Sequence, residues 1–300
     1  MTRHAEIGLG AAQFGLDYGI SNLRGRVPEE EVRLILDTAA VNGLGVVDTA
    51  PVYGDSERVL GRSWPFPSPF RVVTKTVPVD EGLDRVETRA RRSLERMGLS
   101  RGYAILVHSA DDLLGPDGQA LWDRLRGLRD EGLFQKIGVS AYGSDEPVLL
   151  ARRFRPDVMQ LPCSLLDQRL DRGGALRALA DLGVEIHLRS VFLQGLLFLD
   201  RDQLPAGLVD AGPRLSRIRR ALAEAGADPL QAALAYAQTR PEAAAVILGV
   251  TSAAELRAIL AASNAPVPDL DWASLALDHP RALDPRRWTA EPPPAVSSAA

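Results

Sequence analysis

One cysteine, Cys163, is all that the 300-residue chain contains. That excludes an intrachain disulfide framework and every cysteine-rich zinc module, and it fits a reducing compartment. Long apolar runs are missing too. No stretch reaches the length of about 18 residues that a membrane span needs, and Met1 to Gly10 lacks the apolar centre of a signal peptide, so a soluble cytoplasmic protein without a membrane partner is expected. An excess of one charge sign is also absent. Thirty-five Lys and Arg against 39 Asp and Glu leave −4, which gives no footprint for gripping a phosphate backbone, and nucleic acid is not an expected partner. The four histidines, His4, His108, His187 and His279, show no metal-ligand spacing, and neither a P-loop nor an H-E-x-x-H pair occurs. No metal site is expected.

What is present is an ordinary globular composition, 46% hydrophobic and 25% charged, enough to bury a sizeable core. Length alone allows two domains of about 150 residues or one barrel of about 250. The order of apolar runs and amphipathic stretches decides between them. Strand-like runs cover Ile7–Ala12, Gly45–Thr49, Arg71–Thr76, Tyr103–His108, Lys136–Ser140, Asp157–Leu161, Val184–Val191 and Ala244–Val250. A helical pattern follows each. The first opens at Pro28, carries Val32, Ile35, Leu36 and Ala39 at helical spacing, and closes at Gly43. The others are Glu57–Leu60, a stripe of Leu83, Val86, Ala90, Leu94 and Met97, then Leu121–Leu133, Pro147–Phe154, Gly174–Leu182, Arg214–Thr239 and Ala253–Ala262. Eight strand–helix units imply parallel pairing with right-handed crossovers and a closed (β/α)8 TIM barrel, an α/β fold spanning 1–290 as one domain. Phe192–Pro213, a long loop after strand seven, reads either as a lid or as a plain surface excursion. Pro266–Trp288 is a C-terminal extension placed across one barrel mouth, and Glu291–Ala300 reads as a disordered tail.

In such barrels chemistry collects at the C-terminal ends of the strands. Strand two ends in Asp48 with Tyr53 in the loop beyond; strand three ends at Lys75 and strand four at His108. Side chains alternate along a strand, so Val46 with Asp48, Val73 with Lys75, and Leu106 with His108 share the inward face. Taken singly each has a structural reading: an ion pair, a loop aromatic, a histidine satisfied by backbone. Jointly that reading weakens, because burying a lysine and an aspartate at a barrel mouth is costly unless pairing or function compensates. A cation beside a phenol favours the phenolate, which makes Tyr53 a candidate proton donor and acceptor near neutrality.

The segments Val47-Asp48-Thr49-Ala50-Pro51-Val52-Tyr53-Gly54, Val73-Thr74-Lys75-Thr76 and Leu106-Val107-His108-Ser109 resemble the aldo-keto reductase superfamily, whose catalytic tetrad is Asp, Tyr, Lys and His in this order. The resemblance spans roughly residues 7 to 262. It includes Gly8-Leu9-Gly10-Ala11-Ala12-Gln13-Phe14-Gly15, Gly138-Val139-Ser140, Gln160, Arg189-Ser190 with Gln194-Gly195, and Gly249-Val250-Thr251-Ser252. It implies reversible hydride transfer between a nicotinamide cofactor, NAD(P)H, and a small-molecule carbonyl. Tyr53 would protonate the developing alkoxide, Lys75 would assist it, Asp48 would hold Lys75, and His108 would orient the carbonyl oxygen or assist proton transfer.

The opening glycines lack the third glycine of a Rossmann fingerprint. By the resemblance the cofactor instead lies extended across the barrel mouth, held by Ala11, Ser140, Gln160, Arg189, Ser190, Phe192, Gln194, Gly249, Thr251, Ser252 and Glu255, with Ser140 and Gln160 at the carboxamide. Two positions depart from the pattern: Ala141 stands where Asn is common, and Arg189 where many relatives place an aromatic ring. A guanidinium there favours the neutral reduced ring over the charged oxidised one, unless Arg189 turns away to an acidic neighbour. Glu255 would repel the 2′-phosphate of NADPH and accept from ribose hydroxyls, a lean toward NADH that Arg257 would counter if it reaches the phosphate. Ser252 and Glu255 also form an S-x-x-E capping box, which needs no ligand.

Phe14, Tyr18 and Trp288 are expected at the substrate pocket, with Trp288 equally able to pin the C-terminal segment. Glu185 and His187 read as an internal polar cluster and Cys163 as a core residue. Only Met1 to Glu6 precede strand one, so the bottom-plugging hairpin of many relatives is expected to be short or absent. Two other functions stay open: a cofactor-binding sensor or regulatory protein on the same fold, with a protein partner not identified by the sequence, and a barrel hydrolase or aldolase using Lys75.

Overall fold

Parallel strands cannot be joined by tight turns, so each needs a crossover long enough to return to the same edge. In the computed structural model, which describes residues 4–288, eight strands meet that need with helices and close on themselves in sequence order. They are β1 (Glu6–Gly10), β2 (Val46–Asp48), β3 (Arg71–Lys75), β4 (Gly102–Val107), β5 (Phe134–Ser140), β6 (Val158–Pro162), β7 (Glu185–Arg189) and β8 (Ala243–Gly249). Every neighbouring pair is parallel, and β8 returns to β1 through the register Gly10↔Gly249. The helices are α1 (Glu29–Val41), α2 (Ser56–Ser63), α3 (Leu83–Met97), α4 (Ala110–Leu114), α5 (Gly118–Asp130), α6 (Pro147–Phe154), α7 (Arg169–Arg172), α8 (Ala175–Asp181), α9 (Gly212–Glu224), α10 (Pro229–Gln238) and α11 (Ala253–Ser263). This is the (β/α)8 architecture that the alternation of patterns implies. The expected tail at 291–300 lies outside the described residues.

Local chemistry explains the element ends. Helix α1 begins after Pro28 with Glu29, Glu30 and Glu31 in its first turn, where carboxylates complement the exposed N–H groups, and it buries Val32, Ile35, Leu36 and Ala39. Helix α3 buries Val86, Ala90, Leu94 and Met97 on one stripe while its arginines stay largely outside. The single helical region expected over Arg214–Thr239 is two helices. Gly226 takes φ 65°, a left-handed conformation that ends α9, and Asp228 then accepts from Gln231 N to start α10 with Pro229 in its first turn.

Two apolar layers hold the barrel. Val46, Val73, Ala104, Leu106, Val158, Ala245 and Ile247 fill its interior, and a larger shell lies between strands and helices. The long segment after β7 is packed against this shell rather than standing clear of it: Leu193, Leu196, Leu197, Leu204 and Leu208 are buried. The C-terminal extension is also anchored, through Leu275, Leu277, Ala282 and Leu283 and a backbone bond from Leu277 N to Leu166 O. Among the described residues, no helix is long and apolar enough to cross a membrane.

Candidate active site

Residues at the C-terminal strand ends face one cavity of about 880 Å³. Asp48 closes β2, Lys75 closes β3, His108 follows β4, Ser140 closes β5, Gln160 lies in β6, Arg189 closes β7 and Gly249 closes β8; all seven line the cavity. The parity reading of the strands is visible here, because Val46, Val73 and Leu106, two residues earlier, lie inside the barrel.

Lys75 and Asp48 form a buried pair. The Lys75 ammonium donates to Asp48 Oδ1 at 2.8 Å and Oδ2 at 2.7 Å, and to the Thr49 carbonyl at 2.9 Å. Burial works against its charge, but Asp48 and Tyr53 outweigh that, so Lys75 is held above the usual lysine range. A lysine so held stays an ammonium, which disfavours the aldolase reading, since that chemistry needs a neutral amine.

Tyr53 sits in the turn after β2, placed by interlocking contacts. Tyr53 N bonds to Ala50 O, and the Ser56 hydroxyl donates to Ala11 O at 2.8 Å while meeting Thr49 Oγ1 at 2.9 Å. The β1 loop presses on this turn so closely that a Cβ at Gly15 would fall 1.9 Å from Tyr53 O; only glycine permits the approach. The Lys75 ammonium lies 5.0 Å from the Tyr53 ring centroid, and the His108 ring meets Tyr53 edge-on at 5.9 Å. Withdrawal from water, with Lys75 and Arg189 nearby, pushes His108 down to about 3. It is therefore a neutral imidazole near pH 7, suited to hydrogen bonding rather than to carrying a positive charge. Tyr18 faces the same space; withdrawal from water together with Tyr53 and Tyr142 pushes it up to about 12.

The other sequence candidates divide into two sets. Ser190, Phe192, Gln194, Thr251 and Glu255 line the cavity with those already placed. Ala11, Phe14, Ser252 and Trp288 do not. Ala11 and Phe14 are fully buried in the shell, because the chain turns tightly after β1 and sends Ala12 and Gln13 to the cavity instead. Ser252 caps α11, accepting from Glu255 N at 3.1 Å. The Trp288 indole donates to Arg281 O at 3.0 Å and pins the extension, leaving Arg286 at the cavity wall. Arg189 does not turn to an acidic partner: it donates to Ser190 Oγ at 3.2 Å and Ala141 O at 3.3 Å and lies 4.2 Å over the Tyr142 ring.

Sequence reasoning passed over three wall residues. Gln13, inside a quoted motif, has a buried Oε1 without a hydrogen-bond partner. Tyr142 follows Ser140 by two residues and receives both Arg189 and, at 3.8 Å, Arg286. Arg286 is bonded to Asp284 and carries no local motif that would have exposed it. Cys163 is buried and its thiol is pushed up by burial, as a core residue should be. Among the described residues, no cluster of three or more His, Cys, Asp or Glu side chains could hold a metal ion.

Comparison with known proteins places this geometry. An Aldo-keto reductase of Mycolicibacterium smegmatis is 29% identical over 145 residues, covering 46% of this chain and 50% of that protein. The chain thus matches about half the length of that curated relative. Among solved structures, the holo form of an aldo-keto reductase from Bacillus halodurans superposes with a TM-score of 0.70 at 20% identity, covering 91% of each chain. A glycerol dehydrogenase from Gluconobacter oxydans superposes equally well, with a TM-score of 0.70 at 19% identity over 90% of this chain and 89% of that one. At such identities the structural likeness speaks for the fold. The family model described as Aldo/keto reductase family matches residues 6–276, nearly the whole chain, and the protein belongs to that family.

Proposed function

We propose that this protein is an NAD(P)H-dependent oxidoreductase that reduces an aldehyde or ketone to an alcohol, or runs the reverse reaction, with Tyr53 as proton donor. The observation that carries the reading is the convergence of Tyr53, His108 and the buried Lys75–Asp48 pair on one cavity wall.

The residues present fit a dinucleotide. The cavity runs from Ser140, Gln160 and Arg189 to Thr251 and Glu255, and the unpartnered Gln13 Oε1 offers an acceptor along it. When bound, the reduced nicotinamide supplies the hydride. This chain's own residues do the rest: Tyr53 gives its proton to the oxygen that gains charge, and the Lys75 ammonium stabilises the phenolate left behind. Asp48 holds Lys75 in place, and the neutral His108 orients the carbonyl oxygen by hydrogen bonding. Ser140 and Gln160 would hold the carboxamide, and Ser190, Phe192 and Gln194, which line the same cavity, would hold the diphosphate.

Two features bear on cofactor preference. Arg189, directed at a carbonyl, a hydroxyl and a ring rather than a carboxylate, favours a neutral reduced ring over an oxidised one. Glu255 accepts from Thr251 N at 2.7 Å and Thr251 Oγ1 at 2.8 Å, which sets a carboxylate on the cavity lining just after β8, and a 2′-phosphate brought near it would be repelled. The reading is NADH over NADPH.

Tyr53→Phe tests the mechanism. Fluorescence titration should give the same affinity for NADH, while kcat for carbonyl reduction falls by about 10²–10⁴-fold. Unchanged reduction in that variant would sink the mechanism. NADH binding without turnover of any aldehyde or ketone would favour the sensor reading instead, and titration with NADPH at least tenfold tighter than NADH would reverse the cofactor preference.

A further inference from the structure

Charged groups on the cavity wall are almost all engaged. Lys75 lies 2.7 Å from Asp48, and Arg286 lies 3.0 Å from Asp284 and 3.5 Å from Asp145. Glu255 accepts from Thr251, Asp112 accepts from Val79 N at 3.4 Å, and His108 is neutral near pH 7. Arg189 is different. It closes β7, it is half-buried, and among the described residues no carboxylate forms an ion pair with it. Arg24 also lacks an ion pair on this wall, but it stands on an exposed loop where water screens its charge. A charge withdrawn from water without a counter-ion is costly, so an anion entering beside Arg189 completes the site.

Arg189 is also held still. Its Nη1 donates to Ser190 Oγ at 3.2 Å, its Nη2 donates to Ala141 O at 3.3 Å, and the guanidinium lies 4.2 Å from the centre of the Tyr142 ring, which carries Arg286 at 3.8 Å as well. These bonds use two of the five N–H donors and leave three. A fixed planar fork of this kind meets a carboxylate with two parallel bonds. The charge also reaches the reacting groups. Withdrawal from water and Lys75 lower His108, and Arg189 adds to that lowering; withdrawal from water raises Tyr18, and Arg189 opposes the rise. A neutral reduced nicotinamide in the cavity leaves this cation without a partner.

We propose that the carbonyl substrate is an oxo acid and that Arg189 determines this specificity: the substrate carboxylate takes two free N–H groups of Arg189 while its carbonyl oxygen meets Tyr53 and His108. The proposal rests on the carbonyl-reduction reading above and names its substrate class. The reaction balances without further components. The carbonyl carbon takes the hydride, its oxygen takes the Tyr53 proton, and the products are a hydroxy acid and the oxidised cofactor; the carboxylate is unchanged. A carboxylate fits better than a phosphate, because it matches the single charge of Arg189, whereas a phosphate monoester carries about −1.5 to −2 near pH 7. After hydride loss the same carboxylate offsets part of the charge that the nicotinamide ring gains.

Matched substrates test it. Glyoxylate, 4-oxobutanoate and 4-formylbenzoate, which set the carboxylate at three separations from the carbonyl, are each compared with their methyl ester at saturating NADH. The wild-type protein prefers the acid by about 10–100-fold in kcat/KM at the separation that spans Arg189 and Tyr53, chiefly through KM. In Arg189→Met the ratio of acid to ester falls below about threefold, and Arg189→Lys, a point charge without the fork, keeps an intermediate ratio. Arg189→Gln loses the preference too, which covers the case in which the Met variant fails to fold. Three results would overturn the proposal: esters reduced as well as acids at all three separations, a preference that survives in Arg189→Met, or phosphonates preferred over the matching carboxylates.

Binding supplies the second readout. The hydroxy acid product and its methyl ester, titrated into the protein with NADH already bound, form dead-end complexes that turnover cannot remove. The acid binds at least about tenfold more tightly in the wild-type protein and not in Arg189→Met. A fall in NADH affinity of Arg189→Met as large as its loss of acid preference would put Arg189 on the cofactor diphosphate and overturn the proposal. The two readings fail separately. If neutral aldehydes are reduced with no preference for acids, the oxo-acid proposal falls and carbonyl reduction stands. If hydroxy acids bind selectively and no carbonyl is reduced, the catalytic reading falls and the carboxylate site stands; if neither dinucleotide binds, both fall.

Discussion

The barrel holds a lysine–carboxylate pair at each of its two mouths, and the pairs have different surroundings. At the C-terminal mouth Lys75 and Asp48, with side chains 1% and 6% exposed, border the large cavity and have Tyr53 and His108 beside them. At the N-terminal mouth Lys136 bonds to Glu185 with side chains 31% and 20% exposed. There Glu185 also accepts from Tyr103 at 2.9 Å on both oxygens and meets His187 Nε2 at 2.8 Å, while Arg71 and Lys136 each lie about 5 Å from the Tyr103 ring. Both clusters contain a tyrosine, a lysine, a carboxylate and a histidine. In the lower one the groups bond to one another, with only His187 Nδ1 of that cluster left without a partner; in the upper one the tyrosine and histidine also face open space. A set of residue types therefore signals chemistry only where the strand ends leave room for a substrate.

The largest expected effect that can break this comparison is on turnover. Lys75→Met lowers kcat by about 10²–10⁴-fold, whereas Lys136→Met leaves it within about twofold, measured with one carbonyl at saturating NADH. Equal losses would mean that the lower cluster also serves the reaction. Stability separates the two next. Lys75→Met strands a buried carboxylate and costs roughly 3–5 kcal/mol in urea unfolding, while Lys136→Met, in a partly exposed pair, costs about 1 kcal/mol or less.

Acid sharpens the contrast further. His108 has its folded value pushed down to about 3 from the ordinary 6.5, so between those values the unfolded chain binds the extra proton and stability falls as pH falls. The slope for one group is at most about 1.4 kcal/mol per pH unit. Glu185 faces burial that would raise it, but His187, Lys136 and Tyr103 bring it down to about 2, so its stabilisation is present above 4.5 and is lost as pH falls from there toward 2. His108→Gln should flatten the stability curve between pH 6.5 and 4.5 and make it shallower from 4.5 to about 3, leaving only the Glu185 part of the loss below 4.5, followed by urea titrations at successive pH values. An unchanged curve above pH 4.5 would mean that His108 does not carry the upper window. The smallest effect concerns the cavity lining after β8, where Glu255→Gln should improve NADPH relative to NADH by a few fold in paired titrations.

Much of the upper mouth was legible because strand parity is local. Asp48, Lys75 and His108 each follow an inward-facing apolar residue by two positions, and eight such units leave few topologies open. Phe14 and Ala11 were misplaced for the opposite reason: they lie beyond the strand, where a tight turn rather than a period of two sets direction. Trp288 and Arg286 are two residues apart in an irregular segment, and no periodicity says which one reaches the cavity.

The sequence by itself determined the order of the elements, the parallel barrel they imply and the strand-end residues that face the cavity, because these depend on spacing along the chain. Only the tertiary structure decided that Gln160 ties Asp48 from the opposite wall, that Arg189 stacks on Tyr142, and that Lys136 and Glu185 close the other mouth around Tyr103. Those contacts join residues from 33 to 112 positions apart, or place side chains whose direction is set by packing. Closing the barrel brings them together, and no local propensity records it.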